Sequence, residues 1–569
     1  MGRKESTPPR AACRAEVGPH GPSRGAFSRV GSFQSPESDP RGCCRRAGRP
    51  CRSRLGRDRR GAPAGRRLAS SLTGRPVPLV ALAALAMIVS CSTGPAGGKG
   101  PGPSARPGAR IPEDFLWGVS TSAYQTEGNN TRCDYDQWNR AGHGAELNGM
   151  AANSYELFDL DSELARAIGV GVFRMGIEWS RVEPEKGRFD SVELQHYRAV
   201  LESIRSRGMR PFVTLHHFTN PLWVAQQGWW LAPEVIEDFA GYARRMAEEY
   251  GDIVDDWITF NEPAIYATGT YWAKLYPGGS LLNMEKATTA LRHMIYAHAA
   301  AYDAIHAADR IDAYGTGRPC RVGFVEASYP THAADAASEE DVAAAGRFDS
   351  FFNLQIYDAL VYGSLEPWLE PRRQVSGGSP GGHQATEQPP HPELAGRTDY
   401  VGINYYSPLY VRSFPGILPP LEAAPCYAPI EFLCFRHGRP DVVRGDNGNE
   451  VSPEGLLEVI EKYAPYGLPL IVTENGIATT DGRMRSWFIL GHIEQIEKAL
   501  AMGYRVEGYF HWSLIDNFEW LSGYSMRFGL YRVDFETFER TPTEAVQAYR
   551  EIIESRGVTE ALKAKYTWP

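Results

Sequence analysis

The feature that most constrains this chain is an alternation. From residue 111 onward, short apolar runs recur at 115–120, 172–178, 211–216, 257–261, 321–326, 400–404, 469–474 and 506–512. Amphipathic helical patterns lie between most of them, at 154–168, 192–207, 233–250, 288–308, 343–360, 453–463 and 486–502. Apolar runs alternating with helices predict βα units on a parallel sheet. Eight such units predict an α/β fold, a single (β/α)8 barrel. The chain has 569 residues, a length that such barrels reach with loop insertions.

In this fold the chemistry sits where the strands end. The first run leads to Ser120 and Gln125, and the second to Glu178, Trp179 and Arg181, with Arg174 inside it. The third leads to His216 and His217, the fourth to Asn261 and Glu262, and the sixth to Asn404, Tyr405 and Tyr406. The seventh leads to Glu474 and Asn475, and the eighth to His511 and Trp512, then Asn517, Glu519 and Trp520. One polar strand end means little, because turns are polar. Amides, carboxylates and indoles at nearly every strand end suit a polyhydroxylated ring, which needs paired hydrogen bonds and a flat apolar face.

Two runs share a form. Ile258-Thr259-Phe260-Asn261-Glu262-Pro263 and Leu470-Ile471-Val472-Thr473-Glu474-Asn475-Gly476 each carry an apolar strand into a glutamate beside an asparagine. A barrel would place the ends of its fourth and seventh strands across one mouth. Two carboxylates flanking one bond are the basis of glycoside hydrolysis, and their separation decides retention or inversion.

These two motifs resemble those of the family 1 glycoside hydrolases, retaining β-glycosidases built on this barrel. Phe115-Leu116-Trp117-Gly118-Val119-Ser120 through Gln125 resembles the family's opening strand. The run from Trp512 through Asp516-Asn517-Phe518-Glu519-Trp520 to Arg527-Phe528-Gly529 resembles its sugar-binding tail. The resemblance covers about residues 111 to 549. It implies Glu262 as acid/base and Glu474 as nucleophile, with Arg174 and Tyr406 contacting the nucleophile. It implies Asn261 on the 2-hydroxyl, and Gln125, His217, Glu519 and Trp520 on the 3-, 4- and 6-hydroxyls. Trp512 would be the platform under the ring. A terminal β-D-glucosyl residue is the expected glycone, with galactosyl and fucosyl as further candidates. Neither cofactor nor metal is implied, and no CxxC or His-rich metal spacing occurs. A carboxylate at Glu519 would repel a 6-phosphate, which favours unphosphorylated sugars.

The sequence departs from the family in places. Ala264 stands where members often carry Trp, on the leaving-group side. The usual His-Trp-Asp-Leu-Pro run is here His217-Phe218-Thr219-Asn220-Pro221. Tyr524-Ser525-Met526-Arg527-Phe528 is closer to archaeal-type members. Two Gly- and Pro-rich or long insertions, 376–392 and 412–450, are expected to shape the pocket rim. Two other readings stay open at this stage. The same carboxylate pair would serve a transglycosylase, and a non-catalytic carbohydrate-binding lipoprotein would keep the pocket without turnover.

The front of the chain differs in kind. Residues 1–90 hold 18 Lys and Arg against 5 Asp and Glu, and the remainder holds 42 against 63. The body is therefore acidic, which argues against a nucleic-acid partner. Residues 1–76 are rich in Arg, Gly, Pro and Ser. They read as a disordered leader or an over-long start assignment, the alternative being a basic nucleic-acid arm. The apolar run at 77–91 is too short to span a bilayer and reads as a signal-peptide core. Its end, Ile88-Val89-Ser90-Cys91, resembles a bacterial lipobox with Cys91 as the lipidated residue; the alternative is a plain secretory signal. Ser92 after it resembles the pattern of outer-membrane retention. Residues 92–110 read as a flexible tether, leaving 111–569 as the barrel. The expectation is an exported, lipid-anchored enzyme acting on a small β-glycoside or oligosaccharide. Export permits disulfides, and Cys426 with Cys434 in one segment is the expected pair.

Overall fold

The computed structural model describes residues 110–568 except 145, 371–389, 417 and 427–441. The leader, the signal core with Cys91, the tether to residue 109, most of the 376–392 insertion and Cys434 lie outside those residues.

Eight parallel strands close into a barrel. They are β1 (Leu116–Ser120), β2 (Val172–Gly176), β3 (Arg210–His216), β4 (Asp256–Asn261), β5 (Arg321–Ala327), β6 (Val401–Tyr405), β7 (Leu470–Asn475) and β8 (Val506–Trp512). Each pairs with its sequence neighbour, and β8 returns to β1 with Ser120 opposite Trp512. The interior is filled by one apolar residue from each strand or its first flank: Leu116, Val172, Phe212, Ile258, Val325, Tyr400, Ile471 and Phe510. Phe212 meets Tyr400 and Phe510 edge to face, with ring centroids 5.6 and 5.3 Å apart. Bulk from these rings is admitted because neighbours are small. A Cβ on Gly118 would lie 2.4 Å from the Phe510 ring. This packed layer is the floor on which the strand ends stand.

The helices surround the barrel and bury one face each. In Val235–Tyr250 the buried positions Val235, Phe239, Tyr242, Ala243, Met246 and Tyr250 follow the helical period. Two expectations are corrected. The second strand stops at Gly176 rather than 178. Glu178 instead precedes the short helix Trp179–Val182, its backbone N–H donating to the Tyr197 hydroxyl at 3.1 Å. The single helix expected at 343–360 is three pieces: Glu339–Asp349, a π-helical turn at Ser350–Leu354, and Gln355–Tyr362. The turn lets the Asn353 amide bridge the backbone of Tyr329, accepting its N–H and donating to its carbonyl, both at 2.9 Å.

Above the strand ends, Thr331–Ala333, Leu409–Ser413 and Ala423–Cys426 form a small three-stranded sheet. Part of the second insertion is thus built onto the rim. Cys426 is disulfide-bonded, and Cys133 and Cys320 are buried free thiols.

Candidate active site

Strand β4 delivers Asn261 in extended backbone, and Glu262 then turns to φ 48°, ψ 56° before Pro263 opens the helix Pro263–Tyr271. Proline disfavours the helical region for its predecessor. The left-handed conformation of a non-glycine residue costs about 1 kcal/mol or more. The Glu262 N–H is retained by the Val325 carbonyl at 2.8 Å. The carboxylate accepts from the Asn404 amide at 2.9 Å. Burial, then the charge of Glu474, pushes its pKa up to about 8, against the opposing pull of Asn404 and Arg174.

Glu474, on β7, sits differently. Arg174 Nη1 donates to its Oε1 at 2.5 Å, and the Tyr406 hydroxyl donates to its Oε2 at 2.6 Å. Arg174 is wholly buried, and its remaining donors reach Thr214 Oγ1 at 3.2 Å, the Thr473 carbonyl at 3.2 Å and Asn261 Oδ1 at 2.7 Å. Asn404 also donates to Asn261 Oδ1, at 3.1 Å. The two glutamates are therefore joined by one chain of bonds, Glu474–Arg174–Asn261–Asn404–Glu262. One carboxylate faces a cation and a phenol. The other faces a single neutral amide in a buried setting. Environments that divide two carboxyls in this way suit a nucleophile and a proton donor.

The expected sugar ligands gather around this pair. Among the described residues the Asn261 amide nitrogen faces only His217 Nε2, at 3.2 Å, which leaves it one amide hydrogen. Burial, then the charges of Arg174 and His216, holds His217 well below the usual imidazole range. A neutral ring accepting at Nε2 carries its proton on Nδ1, and Nδ1 is buried with no partner among the described residues. The His217 ring runs near-parallel to two indoles, Trp512 at 6.2 Å and 19°, and Trp520 at 6.0 Å and 14°. Gln125 Nε2 donates to Asn517 Oδ1 at 3.1 Å and Glu519 Oε2 at 3.2 Å, while its own Oε1 is buried with no partner among the described residues. Unpaired buried polar atoms are rare and ask for a hydroxylated ligand or water. Burial, then Glu474 and Glu262, pushes Glu519 up to about 8, with Gln125 acting the other way.

Not every polar strand end enters the site. Glu178 accepts from Asn130 at 2.7 Å and from Thr219, and Arg181 pairs with Glu127 at 2.8 Å, both in a packing network beside it. His216 bonds Asn220 at 3.1 Å within the core. Two groups were overlooked as site residues. Asn404 ends β6 in plain view, but its sequence neighbourhood does not say that its amide reaches Glu262. Glu326 lies in β5, accepting from the backbone N–H groups of Ala264 at 3.4 Å and Ala327 at 3.0 Å. Burial, then Glu262, holds it well above the usual carboxylate range. Its signal was a carboxylate at a fifth strand end.

The glycosyl hydrolase family 1 model matches residues 108–558. A β-galactosidase of Pyrococcus woesei is 34% identical over 525 residues, spanning 80% of this chain and 99% of the relative. β-Glucosidase A of Thermotoga maritima is 30% identical over 475 residues, spanning 79% and 99%. The solved β-glycosidase from Pyrococcus horikoshii superposes with a TM-score of 0.69 at 32% identity, covering 81% of this chain and 98% of that one. Motifs, barrel and near-complete coverage agree, and this chain belongs to glycosyl hydrolase family 1.

Proposed function

We propose that this chain hydrolyses β-glycosides by a retaining double displacement, releasing a terminal β-D-glucosyl residue, with galactosyl and fucosyl residues also admitted. The observation that carries this is the contrast between Glu474 and Glu262 within one bonded chain. Glu474 attacks the anomeric carbon while Glu262 gives its proton to the leaving oxygen. Esterification removes the Glu474 charge, which is one of the two causes of the raised Glu262 pKa. Glu262 then ionises more readily and takes the proton of the incoming water.

The free amide hydrogen of Asn261 suits a 2-hydroxyl. Gln125 Oε1, His217 Nδ1, Glu519 and the Trp520 ring suit the 3-, 4- and 6-hydroxyls, with Trp512 as platform. Relatives named β-glucosidase and β-galactosidase support both glycones. The charge argument against 6-phosphates applies only where Glu519 is ionised, which at about 8 means the alkaline side. Export with lipidation at Cys91 is part of the proposal, supported by the apolar run at 77–91 and its small-residue end. Palmitate labelling that disappears in Cys91→Ser supports it, and an unlabelled wild type removes it.

Proton NMR of nitrophenyl β-glucoside hydrolysis tests the chemistry. The account expects β-glucose first, followed by mutarotation. α-Glucose appearing first would mean inversion.

A further inference from the structure

The first turn of a helix leaves backbone N–H groups without partners, and the residue before the helix commonly caps one of them with its own side chain. For the helix Pro263–Tyr271 that residue is Glu262, and its side chain makes no such bond. Its carboxyl accepts from the Asn404 amide in the site instead. The cap comes from the neighbouring strand. Glu326 on β5 is 1% exposed, and its Oε2 accepts from the Ala264 N–H at 3.4 Å while its Oε1 accepts from the Ala327 N–H at 3.0 Å. Strand register brings it there. Asn261 lies opposite Val325, and the Val325 carbonyl accepts from the Glu262 N–H at 2.8 Å. Two consecutive residues of β5 thus hold the backbone at Glu262 and at Ala264, across the left-handed turn that aims the Glu262 side chain.

We propose that Glu326 is a positioning residue for the acid/base: its carboxyl caps the first turn of Pro263–Tyr271 and so fixes the direction in which Glu262 points. This rests on the glycosidase reading above. The chemistry of Glu326 suits the task. Burial, then Glu262, holds it well above the usual carboxylate range, so it caps the turn without setting a second negative charge beside the acid. The phenols of Tyr357 and Tyr463, which also feel Glu326, are both shifted up and bring no charge of their own. A displaced proton donor matters most where the leaving group needs the proton. General acid catalysis contributes about a hundred- to ten-thousandfold, and a small displacement forfeits part of it.

The test compares kcat/KM for two glucosides. The alcohol of methyl β-glucoside leaves only with a proton, and the phenolate of 2,4-dinitrophenyl β-glucoside leaves without one. In Glu326→Leu the dinitrophenyl-to-methyl ratio should rise about tenfold or more, because the proton is delivered off line. Loss of folded enzyme lowers both values together and leaves that ratio unmoved. Glu326→Gln keeps an acceptor oxygen for the Ala264 N–H, and its ratio should stay within about threefold of wild type. An unchanged ratio in Glu326→Leu, whether both values fall or neither does, overturns the positioning role and leaves the glycosidase reading intact. A ratio that rises as far in Glu326→Gln overturns the cap as its cause. Hydrolysis of neither glucoside by the wild type overturns the glycosidase reading itself.

Discussion

At the residue scale, the division of labour lies in what each glutamate touches. Glu474→Gln removes the nucleophile and leaves the Arg174 bond possible. We expect kcat/KM to fall about 10,000-fold or more, with the fold kept by circular dichroism. The same substitution removes a negative charge beside Glu262. Its pKa should then fall from about 8, a shift that carbon-13 NMR of labelled glutamate can read. In the wild type, kcat/KM should decline above about pH 8 as Glu262 loses the proton it must donate. Tyr406→Phe deletes one bond to a charged carboxylate. About a ten- to hundredfold loss in kcat/KM is expected, with little change in stability. The two glutamates were legible in the sequence, because each closes an apolar run in a matching context. Asn404 was not legible as the hydrogen-bond partner of Glu262, nor Glu326 as a carboxyl on which the Glu262 charge acts. A lone sequence gives position on a strand but not which neighbour a side chain reaches across the barrel.

At the element scale, Arg174 ties β2 to β3, β4 and β7 through Thr214, Asn261 and Glu474. Arg174→Met would leave the Glu474 carboxylate buried without its cation. Removing one partner of a buried pair costs about 3–5 kcal/mol. Thermal or urea unfolding should show that loss, and it should shrink in the double variant with Glu474→Gln. The eight strands were readable because each is an apolar run between polar turns. The helix at 343–360 was misread for a physical reason. Ala344, Ala345, Phe348, Phe351 and Phe352 keep an apolar helical pattern straight through the π-helical turn. One extra residue in a turn does not disturb that pattern enough to be seen.

At the scale of the whole molecule, the site leaves a mark on stability against pH. Glu262 and Glu519 keep their protons in the folded state up to about 8, against 4.5 when exposed. Their contribution is complete below 4.5 and is lost as pH rises toward 8. Buried His216, His217, His298, His492 and His511 are shifted down, so their contribution is present above 6.5 and lost on acidification. Above pH 6.5 the histidine contribution is complete and the raised carboxylates still titrate, so stability should fall between pH 6.5 and 8.5, with a smaller fall in Glu519→Gln. Scanning calorimetry across that range checks it. The acidic body and the barrel were both legible in the sequence. The environment that separates the two glutamates was not, because it arises only when β2, β4, β6 and β7 bring distant residues together. The most direct measurement of the central claim is therefore chemical. The chain from residue 92 onward is incubated with a 2-fluoro-β-glucoside bearing a good leaving group, then digested and sequenced by mass spectrometry. A fluoroglucosyl adduct on Glu474, formed as turnover is lost, is the predicted result. An adduct on any other residue, or none while nitrophenyl glucoside is still hydrolysed, would contradict the assignment of Glu474 as nucleophile.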